Sequence, residues 1–189
     1  MSAFDRLEQF AGGRAAIATV GVWAVAEALV LPIVPDVGLC LLVLAAPRRA
    51  AQLFAAVVVG GVVGTMLLAA LSAEAPNLVR AMLLGLPGID QAMLADANGT
   101  LARQGIVGFA QFGPGAPLKV YTHAWVGQGG EIPGLLVGTI LNRLTRIVPT
   151  MLVAAAIGWR LRDWLRRRER LTLAAYGAFW LVVYALYLA

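Results

Sequence analysis

The chain has 189 residues, 60 % of them hydrophobic and only 13 % charged, with a mean hydropathy of +0.80 and a formal net charge of +5. So little polar surface cannot coat a water-soluble globule of this length, and lipid is expected to supply much of the surroundings. A single Cys40 excludes an intrachain disulfide, a single His123 beside it argues against a His/Cys zinc site, and the basic excess crowds next to apolar stretches, as cytoplasmic loops do, rather than pointing to nucleic acid.

A helix crosses the hydrocarbon with about 20 apolar residues at a rise of about 1.5 Å each. Residues 15–46 would make one helix about 50 Å long, broken at its centre by Pro32 and Pro35, yet the stretch is too short for two spans and a turn. A re-entrant hairpin is expected there. Arg14 to Ala26 has the outline of a signal peptide, with a basic flank and an Ala24-Val25-Ala26 ending, but apolar character resumes at once in Leu29 to Leu44, so retention is expected. Residues 50–72 fit a single span, and Gly60 and Gly64 form a GxxxG beside Gly61 that allows close backbone contact, within the chain or with a second copy.

Residues 76–104 are of mixed polarity and are read as interfacial helices or loops, 77–86 and 89–103, with breaks at Gly85-Leu86-Pro87-Gly88 and at Asn98-Gly99. Residues 105–127 are long enough to cross, but their centre reads Gly113-Pro114-Gly115-Ala116-Pro117, which no continuous helix tolerates, so a second re-entrant hairpin is expected. Residues 133–159 form a span kinked by Pro149. The stretch 160–170 is a basic loop carrying Arg160, Arg162, Arg166, Arg167, Arg168 and Arg170, with Trp159 and Trp164 as interface anchors. It is either an ordinary cytoplasmic loop or a surface for anionic headgroups. Residues 171–189 make the last span.

Charge parity supports this division. If neither hairpin crosses, Arg6, Arg14, Arg48 and Arg49 share one side with 160–170, while Glu74, Asp90 and Asp96 outnumber Arg80 and Arg103 on the other. The expected fold is an all-α integral membrane protein in one membrane domain, with three or so transmembrane helices, two opposed re-entrant helical hairpins and short interfacial helices. Its N-terminus would lie inside and its C-terminus outside.

Ionisable groups at membrane depth mark pathways or partners. Glu27 falls on the first hairpin and Asp36 beside its tip. Gln111 precedes the tip of the second, with Lys119, Tyr121 and His123 after it. Asn142, Arg143 and Arg146 fall near the middle of the 133–159 span, the two arginines on one face at i, i+3. Two acids against three bases leave one positive charge over, which a phosphate on an anionic headgroup would balance, and the planar fork of Arg pairs with phosphate oxygens bidentately. The plain alternative is that Glu27 and Asp36 only neutralise the arginines and hold the hairpins in place. Glu27 is also a candidate proton carrier. His123 is read as a packed interfacial ring and Cys40 as core.

Glu27, Pro32, Pro35 and Asp36 on the first hairpin, and Gln111-Phe112-Gly113-Pro114-Gly115-Ala116-Pro117 on the second, resemble the paired motifs of the DedA, or VTT-domain, membrane proteins and their small YqaA-like branch. The likeness covers roughly residues 15 to 158, including Trp125-Val126-Gly127 and the late Pro149. The family's second motif carries two arginines that are absent here; Lys119, Arg143 and Arg146 are the residues placed to substitute for them. The resemblance implies opposed hairpins meeting inside a bundle, and movement of undecaprenyl phosphate or phospholipids between leaflets, coupled to protons through the acids. It also implies a bacterial cytoplasmic (inner) membrane location.

The expected substrate and coupling residues are therefore Glu27, Asp36, Lys119, Arg143 and Arg146, supported by Pro32, Pro35, Gln111, Pro114, Gly115, Pro117 and Asn142. Membrane lipids with anionic headgroups, and protons, are the expected partners, with a homo-oligomer left open. Neither a cofactor nor a metal is expected. No nucleophile–base pair stands out, so an enzyme is not expected. A small-ion or proton-coupled transporter and a non-transporting assembly protein are the other readings.

Overall fold

A computed structural model describes residues 3–110 and 115–188. The described chain is all-α, with ten α-helices: α1 (Ala3–Gly12), α2 (Arg14–Leu29), α3 (Asp36–Ala45), α4 (Ala50–Glu74), α5 (Pro76–Leu84), α6 (Gln91–Gln104), α7 (Leu118–Gly127), α8 (Ile132–Arg160), α9 (Arg162–Arg167) and α10 (Glu169–Leu188). Short 3-10 turns occupy Pro47–Arg49 and Gly105–Phe109. By length and composition two of the described stretches are able to cross a membrane, Pro47–Glu74 with 28 residues and Ile132–Arg160 with 29.

α2 stops at Leu29 because the chain then meets Pro32 and Pro35, each lacking an N–H and each disfavouring helix in the residue before it. The chain turns there and returns as α3, which packs along α8. Gly38 on α3 faces the Trp23 ring on α2, where even a methyl group would stand 2.9 Å from a ring carbon. The hairpin closes on that contact.

α2 and α4 form the most extensive helix pairing. Its cause is the small-residue stripe on α4. A side chain at Gly60 would overlap the Gly21 carbonyl, and one at Gly64 would come within 2.7 Å of Ala28. The GxxxG is thus used within the chain, against α2. α8 crosses α3 as closely, with Gly158 against the Leu44 carbonyl.

One end of the bundle gathers the basic segments. Glu8 of α1 accepts hydrogen bonds from Arg162 and Arg166 of α9, Asp5 lies 3.7 Å from Arg166, and the Phe4 N–H donates to Glu169 at 3.2 Å. Arg49 donates to the Gly12 carbonyl at 2.9 Å. Phe4, fully buried with Leu44, Ala45 and Leu165, seals this end. At the opposite end α5, α6 and α7 surround a core of Leu83, Leu94, Leu101, Phe109 and Leu118.

Two local expectations need correction or refinement. The break expected at Asn98-Gly99 does not form, and α6 runs through it. Asn98 spends its side-chain amide on the Leu94 carbonyl one turn back, and Gln128 donates to both Asn98 oxygens, so the residue's turn-forming chemistry is used up inside the helix. The break at residues 85–88 does form, between α5 and α6. α8 is continuous through Pro149.

Candidate functional site: a buried line of alternating charge

The centre of the structure is built by α8. Adjacent residues near its middle reach in two directions. Asn142 donates to the Phe109 carbonyl at 3.0 Å, on the arm entering the second turn, and Arg143 donates to Glu27 at 2.5 Å, on α2. Both contacts are buried. Arg143 reaches Glu27 by lying flat over Gly61 of α4, where a Cβ would stand 2.8 Å from its Nε. Gly61 therefore provides the floor on which the ion pair rests.

The start of α7 meets the turn between α2 and α3. Lys119, one residue into α7 and only 1 % exposed, donates through Nζ to the Leu31 carbonyl at 2.6 Å. Leu31 lies in the proline turn between α2 and α3, whose carbonyls and N–H groups have left helix geometry. Other side chains reach further backbone groups in and beside that turn. Trp23 Nε1 donates to the Ile33 carbonyl at 2.9 Å, Tyr184 accepts from the Val34 N–H at 2.9 Å, and Tyr176 donates to the Val37 carbonyl at 2.5 Å. Broken backbone away from water survives only with such partners.

The five ionisable residues named from sequence interact electrostatically with one another. Lys119 faces Glu27 first and Arg143 second. Glu27 is ion-paired to Arg143. Asp36 faces Arg146 most strongly, then Arg143, then Glu27. The order Lys119, Glu27, Arg143, Asp36, Arg146 alternates plus and minus, so each neighbour offsets part of the desolvation of the next. Exposure rises along it, from 1 % at Lys119 through 3 %, 4 % and 8 % to the half-buried Arg146. Glu27 and Arg143 close on one another, whereas the Asp36 Oδ1 atom is buried with no hydrogen-bond partner among the described residues. Arg146 makes no ion pair within 4 Å among them either.

Of the supporting residues, Pro32 is exposed at the turn and Pro35 is buried, its carbonyl accepting from the Leu39 N–H at 2.9 Å at the start of α3. Pro117 precedes α7 in an extended conformation, and Gly115 is exposed. Gln111 and Pro114 lie outside the described residues. The Tyr121 and Trp125 rings each pack against Phe109, which fills the space beside Gly138. His123 contacts Ser72 at 3.2 Å, and Cys40 is buried in the core of α2, α3 and α8.

Sequence reasoning expected α10 as a last apolar helix but missed what its tyrosines do. Its tyrosines hold the proline turn from 139 and 150 residues away. The only hint is the spacing of Tyr176, Trp180 and Tyr184, one turn apart on an otherwise apolar helix. Two shallow surface depressions, one beside Trp125 and Glu131 and one between α2 and α4 around Gly21 and Val59, stand apart from the charged line. Comparison with models of known families, with curated proteins and with solved structures gave no match.

Proposed function

We propose that this chain is an integral membrane transporter of the DedA type that moves an anionic, phosphate-bearing lipid between leaflets. Undecaprenyl phosphate or a phospholipid is the substrate, and the membrane is the bacterial cytoplasmic one. The observation that carries the reading is Arg146. It stands about 21 Å along α8, near the middle of a helix long enough to span, half-buried and without an ion pair among the described residues, in a group of charges holding one more positive than negative member. A guanidinium at membrane depth that only a more distant carboxylate offsets is costly unless an anion visits it. Phosphate suits its planar fork.

In this reading α2–α3 enters from the cytoplasmic face and the 105–127 segment from the other, so the chain carries three spans, α4, α8 and α10. The N-terminus then lies inside and the C-terminus outside. Support comes from the clustering of α1, Arg49 and α9 at one end, which puts the basic segments together. Proton coupling falls to Asp36 rather than Glu27, because Glu27 is engaged by Arg143 while Asp36 Oδ1 has no hydrogen-bond partner among the described residues.

The test is Arg146→Gln in proteoliposomes. Exchange of phosphatidic acid between leaflets should be abolished with thermal unfolding unchanged, and exchange at the wild-type rate would sink the proposal. The closed Glu27–Arg143 and Lys119–Leu31 contacts favour a second reading, a non-transporting protein whose charges are purely structural. Under it, Arg146→Gln leaves any leaflet exchange untouched.

A further inference from the structure

The basic stretch 160–170 is not an open loop. It folds as α9, with Leu161 and Arg168 as the breaks that separate it from α8 and α10, and α1 braces it. Leu165 is buried in one cluster with Phe4, and Glu8 accepts from both Arg162 and Arg166, which lie one turn apart on the same face. Asp5 stands 3.7 Å from Arg166, and Asp163 acts on the same guanidinium. The acids near α9 are thus directed to two of its arginines. Arg160, Arg167, Arg168 and Arg170 are exposed and have no carboxylate within 4 Å among the described residues. The Arg168 guanidinium lies 5.9 Å from the centre of the exposed Trp164 ring. Leu152, Val153, Ile157 and Trp159 are exposed along the last turns of α8, and Leu161 and Trp164 are exposed just beyond them. Where an apolar helix surface gives way to Trp and Arg is the level of the headgroups.

We propose that α9 and the arginines flanking it form a docking surface for acidic phospholipids of the adjoining leaflet, separate from the charges at the centre of the bundle. The inference rests on α8 spanning the membrane and not on any role of Arg146. Topology alone asks only that arginines lie near the end of a span. It does not ask that α1 hold two of them and leave four exposed beside a tryptophan. An acidic phospholipid matches that division. Its phosphate oxygens accept from the guanidinium forks, the Trp164 and Trp159 rings sit at the polar–apolar boundary, and its acyl chains continue along the exposed side of α8. A soluble acidic partner would have to displace lipid from Trp159, Leu161 and Trp164 to reach the same arginines. The negative potential of a cytoplasmic leaflet draws basic segments of this kind.

Native mass spectrometry of the full chain in detergent, with phosphatidylglycerol and phosphatidylcholine of matched acyl chains in competition, tests this. The wild type should prefer phosphatidylglycerol, and the preference should fall as ammonium acetate rises from about 0.05 to about 0.5 M, because exposed charges are screened. Each arginine near an anionic surface is worth about fivefold in affinity, so Arg167→Gln with Arg168→Gln should lower the preference about 25-fold. Arg167→Lys with Arg168→Lys keeps the charge and should hold it to within about threefold. Arg146→Gln should leave the salt-sensitive part of the preference unchanged. The wild-type preference in the glutamine pair overturns the inference, as does an equal loss in the lysine pair, which would make shape rather than charge the cause. A wild type with no preference, or with one that salt does not move, also overturns it. Should the first glutamine pair not fold, Arg160→Gln with Arg170→Gln replaces it, with the same loss expected and retention overturning the inference. A loss confined to Arg146→Gln would place the preference at the centre of the bundle, so that this inference fails while the transport reading stands.

Discussion

Lys119 and Leu31 are 88 residues apart in sequence, and the ammonium of one donates to the carbonyl of the other at 2.6 Å, joining the start of α7 to the proline turn between α2 and α3. The lysine is buried on all sides, so its charge is offset by Glu27 and its proton by Leu31. Lys119→Met keeps the length of the side chain and removes both. The Leu31 carbonyl is then left unpaired, and destabilisation of about 1–3 kcal/mol is expected in detergent unfolding. No change would mean that the hairpins do not depend on this contact.

Glu27 and Arg143 form the one buried ion pair among the described residues. Removing a single partner strands the other in a low-dielectric interior, so Glu27→Gln and Arg143→Gln are each expected to lower stability by about 3–5 kcal/mol. The double variant strands neither charge. A double-mutant cycle on the unfolding free energies should show it less destabilised than the sum of the singles, whereas strict additivity would contradict the pairing.

The glycines of α4 differ in what stands opposite them. Gly60 meets the Gly21 backbone, which cannot move alone, and Gly61 meets the Arg143 side chain, which can. Gly127, at the end of α7, has open space around it. Gly60→Ala is therefore expected to reduce the thermal unfolding temperature most, Gly61→Ala less, and Gly127→Ala hardly at all. The Gly61 variant should still disturb the site, because the guanidinium must lift off its floor.

Tyr184→Phe removes the acceptor for the Val34 N–H. Faster hydrogen exchange confined to residues 30–37, with a stability loss of about 1–3 kcal/mol, is the expected outcome. Uniform exchange across the chain would place the role of Tyr184 elsewhere.

Much of this arrangement was legible because proline and membrane depth are blunt signals. Pro32 and Pro35 set the first reversal, and the five charged residues stood out because apolar segments surround them. The partner of Glu27 was harder to read. Arg143 and Arg146 share a face of α8, and what selects Arg143 is the absence of a side chain at Gly61, on a third helix. Asn98-Gly99 looks like a turn to any local reading, and only the Leu94 carbonyl and Gln128 show why it is not. The tyrosines of α10 act on backbone more than a hundred residues distant, a relation with no periodic signature.

The central claim is that a group of buried charges ending in Arg146, which has no ion pair within 4 Å among the described residues, serves an anionic lipid. Its most direct test compares leaflet exchange of phosphatidic acid and phosphatidylcholine by the wild-type chain in the same proteoliposomes. The expected result is rapid exchange of phosphatidic acid, with phosphatidylcholine remaining at the protein-free background. Equal rates for the two lipids, or background rates for both, would contradict the claim.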